Sequence, residues 1–142
     1  MEQKIIKYVF LVSVVFLGCS EHYKNTKVEV FSDKIEINNT FSLDTIGPKG
    51  WDTVYILKPY YSLVSLITVR IPDEIKRDID TKLITENYCV LVFTKNNNVL
   101  YYSPVKRSIS DFSTVDSCKY PSNHIYMLDK HRKVIDYKRR SD

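Results

Sequence analysis

The chain has 142 residues, with 21 lysines and arginines against 17 aspartates and glutamates, for a formal charge of +4. So slight a basic excess points to no particular partner, and three glycines are too few for a glycine-rich phosphate loop. Eleven tyrosines and frequent valine and isoleucine favour strands, over a length that suits one domain.

Lys4 and Lys7 precede an uncharged run from Tyr8 to Gly18, and Cys19 follows it directly. A basic start, an apolar middle and a small residue at the cut site form an export signal. As a helix that run covers about 16 Å, half of the roughly 30 Å needed to cross a bilayer core. The segment therefore predicts processing rather than a membrane-spanning helix. Val15-Phe16-Leu17-Gly18-Cys19 resembles the bacterial lipobox, with Gly18 and Cys19 in its two most demanding positions. The resemblance implies a lipoprotein signal over 1–18 and a thioether-linked diacylglycerol on Cys19. Two or more acyl chains hold a protein firmly where one does not. Ser20 stands where an aspartate would favour inner-membrane retention, so the outer membrane or cell surface is the expected address. Loss of Glu2, Lys4 and Lys7 with the signal lowers the charge by one unit.

Residues 19–27 read as the lipidated cysteine and a polar tether, 28–138 as the folded domain and 139–142 as a frayed tail. In the domain, Val28–Phe31 and Ile35–Ile37 flank Ser32-Asp33-Lys34 and predict a small hairpin. Thr40–Ile46 reads as extended and runs into the loop Gly47-Pro48-Lys49-Gly50. Trp51–Tyr60 predicts a strand ended by Pro59. Ser62–Arg70 carries Leu63, Val64, Leu66 and Ile67 at helical spacing, and Pro72 breaks or restarts it. Asp73–Leu83 places Ile75, Ile79 and Leu83 four apart, which predicts a second amphipathic helix. Tyr88–Thr94 and Val99–Ser103 bracket asparagines that tolerate positive φ, and so predict a hairpin. Arg107–Asn123 reads as irregular. Ile125–Leu128 and Val134–Tyr137 form a last hairpin about Asp129–Lys133. The pattern predicts an α+β fold: one antiparallel sheet with one or two short helices packed on it.

The stretch Trp51-Asp52-Thr53-Val54-Tyr55-Ile56-Leu57-Lys58-Pro59-Tyr60 resembles a pattern of small, uncharacterised bacterial exported lipoproteins. Arg107, Asp111-Phe112 and Cys118-Lys119-Tyr120-Pro121 extend the resemblance over roughly residues 51–130. It implies the architecture and carries no activity.

With Cys19 assigned to lipid, Cys89 and Cys118 remain. In an exported chain two such cysteines allow one disulfide, while Cys89, inside Tyr88–Phe93, equally suits a small core residue. Cys118 with His124 and Asp111 or Asp116 supplies the residue types of a thiol nucleophile, its base and its orienter. An idle or paired cysteine is the simpler reading. His22, His124 and His131 lack the clustered spacing of a metal site, and no cofactor is expected. Tyr60, Tyr61, Tyr101 and Tyr102 offer an aromatic binding surface if one of each pair faces outward. The basic stretch Lys130, His131, Arg132 and Lys133, with Lys138, Arg139 and Arg140, reads as a solvated turn and tail or as a contact with anionic headgroups. It lacks the aromatic interleaving of a nucleic-acid face. The expected function is that of a lipid-anchored envelope protein that binds another envelope protein or component without catalysis. The alternatives are an immunity-type inhibitor of a toxin and a cysteine-dependent envelope enzyme.

Overall fold

The computed structural model describes residues 26–28, 34–61 and 68–137. Its architecture is dictated by one segment, Tyr88–Lys95 (YCVLVFTK), in which Cys89 to Thr94 are all buried. A half-exposed strand would alternate polar and apolar residues, so an unbroken apolar run must be covered on both faces. The odd-numbered Cys89, Leu91 and Phe93 enter one core, and the even-numbered Val90 and Val92 enter a second.

The described residues form eight strands, that segment among them: β1 (Thr26–Lys27), β2 (Thr40–Phe41), β3 (Thr53–Leu57), β4 (Tyr88–Lys95), β5 (Asn98–Lys106), β6 (Lys119–Pro121), β7 (Tyr126–Leu128) and β8 (Val134–Asp136). The expected α+β fold is present, but its strands divide into two sheets. The larger has the order β1-β5-β4-β3-β6 and the smaller β2-β7-β8. Pairing is antiparallel except for the two-residue β1, which runs parallel to β5.

One face of the larger sheet is covered by α2 (Asp73–Leu83), whose Ile75, Ile79 and Leu83 pack with Tyr55, Leu57, Val90, Val92 and Tyr102. The helix has the predicted bounds. Pro72 precedes it with φ −59°, Asp73 and Glu74 occupy its positive first turn and Lys82 its negative last turn. The other face packs on the smaller sheet through Val54, Ile56, Leu91 and Phe93 against Tyr126, Leu128 and Val134.

The predicted hairpin between β4 and β5 has Asn96 and Asn97 at φ 49° and 60°, the backbone of a tight two-residue turn. The Asp52 carboxylate accepts from the Asn96 N–H at 3.0 Å and ties the tip to β3. The hairpin of β7 and β8 also forms, its turn held by Asp129 Oδ1, which accepts from the N–H groups of His131 and Lys133.

Other expectations change. Ile35–Ile37 is not a strand: Ile35 enters the core and the chain turns at Asn38, φ 63°. The rest of that expected hairpin, 29–33, lies outside the described residues. Extended structure in Thr40–Ile46 stops at Phe41. Leu43–Ile46 forms a short helix, α1, because its one fully buried side chain, Leu43, reaches the core from a turn. Of the helix expected over Ser62–Arg70, 62–67 lie outside the described residues and 68–70 are not helical, Arg70 bridging Asn98. The supposedly irregular 107–123 holds a 3₁₀ turn at Phe112–Thr114 and β6, too short to show a period. The sheet also takes up Thr26 and Lys27, which shortens the stretch after Cys19.

Leu91 and Ile79 are both fully buried, in separate cores on opposite sides of the sheet. Truncation of either to alanine is expected to cost about 2–5 kcal/mol in urea denaturation. The double variant should lose the sum to within about 0.5 kcal/mol; a larger departure would contradict two independent cores.

Candidate functional site

The densest polar arrangement in the domain is built where the two sheets meet. In β8, Val134 is buried and Asp136 lies on the same side of the strand two residues on, so a carboxylate is carried toward the core. A charge placed there requires partners. It has three: Asp136 Oδ2 accepts from the Asp116 N–H at 2.8 Å and the Tyr120 hydroxyl at 2.9 Å, and Oδ1 lies 2.7 Å from His124 Nε2. Tyr120 Oη in turn accepts from the Ser117 N–H at 2.8 Å. The His124 ring lies against Tyr120 and Tyr126, at 4.3 and 4.6 Å between centroids.

Burial alone would raise the Asp136 pKa. The Asp116 N–H, the Tyr120 hydroxyl and His124 outweigh it and hold the carboxyl below its ordinary 3.8. Burial pushes the Tyr120 hydroxyl well up, as it does Tyr126. Tyr126 stands at the centre of an aromatic layer with Phe41, Phe112 and Tyr120 at 5.4–6.0 Å. The arrangement joins β6, β8 and the loops beside them. Neither of its tyrosines is poised to act as a base.

A second, half-buried charge pair fixes the far end of β5. Arg107 Nε and Nη2 donate to the two oxygens of Asp111 at 2.9 and 3.0 Å, and Nη1 donates to the Glu86 carbonyl. Burial opposes ionisation of Asp111. Arg107 and the Ser113 N–H reverse that and lower its pKa.

These bonds separate the residues of the supposed cysteine site. Asp111 is held by Arg107, and His124 takes its carboxylate from Asp136, a residue that sequence reasoning passed over. The signal for it was an acid two positions after Val134, on the inward side of a strand. Cys118 lies at the end of β6, its carbonyl accepting from Ile56 N–H at 2.9 Å. Among the described residues no group of three side chains could hold a metal ion. His131 is exposed, and His22 lies outside the described residues, as does Cys19.

Cys89 and Cys118 are free thiols, so the disulfide allowed by the sequence is not formed. The reason is topological. Cys118 faces Ile56 of β3, and Ile56 pairs with Leu91 of β4, two residues from Cys89. Two strand spacings place the cysteines about 10 Å apart before that offset is added, whereas a disulfide needs Cα atoms within about 7 Å. Cys89 fills the alternative role of a small core residue, and burial pushes its thiol up to about 12.

The four tyrosines do not make one surface. Tyr60 and Tyr61 follow the end of β3, with Tyr60 69% exposed and its hydroxyl 3.3 Å from Glu86 Oε1. Tyr102 is buried under α2, and Tyr101 packs against the opposite core. Neither member of that pair faces solvent freely, because both faces of the sheet are covered. Along the edge strand β2 runs an open cleft of about 430 Å³, lined by Ile35, Phe41, Ile46 and Ile125 among polar neighbours.

Two measurements follow from this geometry. Asp136→Asn is expected to destabilise the domain by about 1–3 kcal/mol at pH 7. A depressed folded-state pKa contributes stability above the unfolded value and loses it as pH falls through the folded one. The gap between wild type and variant should therefore narrow below about pH 4 in denaturation curves; a gap constant down to pH 2 would contradict the assigned carboxylate. Native-state alkylation followed by mass spectrometry should modify Cys118 and leave Cys89 untouched until the chain is unfolded. Two unreactive thiols in the denatured, unreduced chain would show a disulfide instead. No protein-family model, curated protein or solved structure matches the chain.

Proposed function

We propose that the chain is a lipid-anchored protein of a bacterial envelope, attached through Cys19, and that its domain acts by binding rather than by catalysis. The observation that carries the anchor is the sequence from Lys4 to Cys19, a basic start and a short apolar run ending in Gly18-Cys19. Among the described residues no helix is long and apolar enough to cross a membrane. The domain begins at Thr26, so the stretch from Cys19 spans at most about 24 Å. Such a link keeps the domain close to the surface that holds the lipid.

Support for binding comes from how the reactive side chains are used. Asp111 is tied to Arg107, and Asp136 and His124 to each other. The Cys89 thiol is buried. A nucleophile and its base must lie within hydrogen-bond reach of each other, and no hydrogen bond among the described residues joins His124 to Cys118, the His124 Nε2 lying instead on Asp136. The exposed features are of the kind proteins bind with: the edge of β2, and exposed Ile37, Ile125 and Tyr137 near it. The partner is another envelope protein or a toxin that the domain restrains.

Cells fed labelled palmitate should incorporate label into the wild-type chain, which should sediment with membranes, while Cys19→Ala should carry no label and remain in the soluble fraction. Label retained by the alanine variant would overturn the anchor.

A further inference from the structure

Two turns that are distant in sequence are brought together at one corner of the domain. The Asp111 N–H donates to the Arg132 carbonyl at 2.8 Å, and the Val134 N–H to the Asp111 carbonyl at 2.9 Å. Arg132 Nη1 donates to the Ile109 carbonyl at 3.0 Å. These bonds seat the turn between β7 and β8 against the turn that follows β5. Lys106, Lys130, Arg132 and Lys133 thus share one corner, and all four are exposed. None makes an ion pair with a described residue. Of the nearby acids, Asp111 pairs with Arg107, Glu86 lies beside that same guanidinium and Asp129 accepts from the N–H groups of its own turn, so three carboxylates offset part of the charge of Lys106, Arg107, Lys130, Arg132 and Lys133. The corner therefore keeps a net positive charge, and the packing of the two turns adds Lys106 to the basic run Lys130–Lys133 already visible in the sequence.

Its direction is set by the larger sheet. Thr26 pairs in parallel with Tyr101 and Lys27 with Tyr102. The chain from Cys19 therefore enters from the side of the Asn96-Asn97 tip, and Lys106 lies about 17 Å further along β5, away from that entry. In the lipid-anchored reading the domain then stands on its hairpin tip, with the basic corner on the side away from the entry at Thr26.

We propose that this corner, formed by Lys106, Lys130, Arg132 and Lys133, is the docking surface for an acidic segment of a partner protein. The inference rests on the lipid-anchor reading for its direction and on the packing of the two turns for its charge. Anionic headgroups are the competing occupant; the corner's place at the end of β5 opposite the entry favours a partner protein, and the vesicle measurement below decides between them. Complementary charge speeds encounter and weakens as salt rises.

The test uses the full chain in detergent micelles and a fluorescent octaglutamate peptide as probe. Binding should be detected at low ionic strength and should fall steeply with added salt. The triple variant Lys106→Glu, Lys130→Glu, Lys133→Glu should weaken it by about tenfold or more, with an unchanged circular dichroism spectrum and melting temperature. The control Lys76→Glu, Arg77→Glu, on the exposed face of α2, should bind as wild type. Absence of binding at low salt, or equal loss in the control, overturns the proposal. If the triple variant does not fold, the single variants Lys106→Glu and Lys130→Glu decide it by the same comparison. The Cys19→Ala chain is also mixed with phosphatidylglycerol vesicles. Capture through the same three lysines would replace the acidic protein with a membrane as the occupant. Failure of palmitate labelling with peptide binding intact would remove the direction and leave the site.

Discussion

Everything in this domain follows from the need to cover the larger sheet on both faces. Val90 and Val92 require α2 on one side, and Leu91 and Phe93 require the smaller sheet on the other. Each layer is thin. The helix offers one stripe of three apolar residues, and the smaller sheet has strands of two or three residues. With its faces spent on stability, the larger sheet leaves only its edges and its ends to meet other molecules. That is why the paired tyrosines of β5 form no binding face, and why the exposed features collect at β2 and at the turns.

The buried charges serve the same constraint. Asp136 would be a liability inside an aromatic layer without partners. Its three partners come from β6, from the loop before it and from the loop before β7, so satisfying the charge fixes how one sheet sits on the other. Arg107 and Asp111 do this at the end of β5, closing the turn and setting the backbone against which Arg132 and Lys133 pair. A partial charge network is more costly than none, and the fold supplies each of these carboxylates with its partners. Trp51, Phe112 and Tyr120 have structural positions of this kind: Trp51 lies edge-on to Phe93 at 5.0 Å, and Phe112 and Tyr120 are buried.

What the sequence made legible was local. The spacing of Ile75, Ile79 and Leu83 located α2, the asparagines located the β4–β5 turn, and Asp129 located the last one. What stayed hidden depends on pairings between distant residues. The partition into two sheets cannot be read from β7 and β8, whose three-residue strands fit either sheet. Asp136 has no local signature of its role because its partners lie 12 to 20 residues away. Cys89 and Cys118 looked bridgeable because sequence does not show that β3 runs between them. Short edge strands such as β1 carry almost no pattern of their own.

That short strand nevertheless connects the fold to the proposed placement. By running parallel to β5, β1 begins on the side of the larger sheet that carries the β4–β5 turn. The most direct test is depth measurement on the lipidated protein reconstituted in vesicles, in a Cys118→Ser background. A fluorophore is attached through Lys95→Cys, beside the hairpin tip, or through Ser108→Cys, beside the basic corner. Lys95 and Ser108 are separated by the length of β5, about 30 Å. A quencher carried on lipid headgroups should dim the fluorophore at position 95 and leave that at 108 bright. Equal quenching at both positions, or stronger quenching at 108, would contradict a domain that stands on its hairpin tip and presents its basic corner outward.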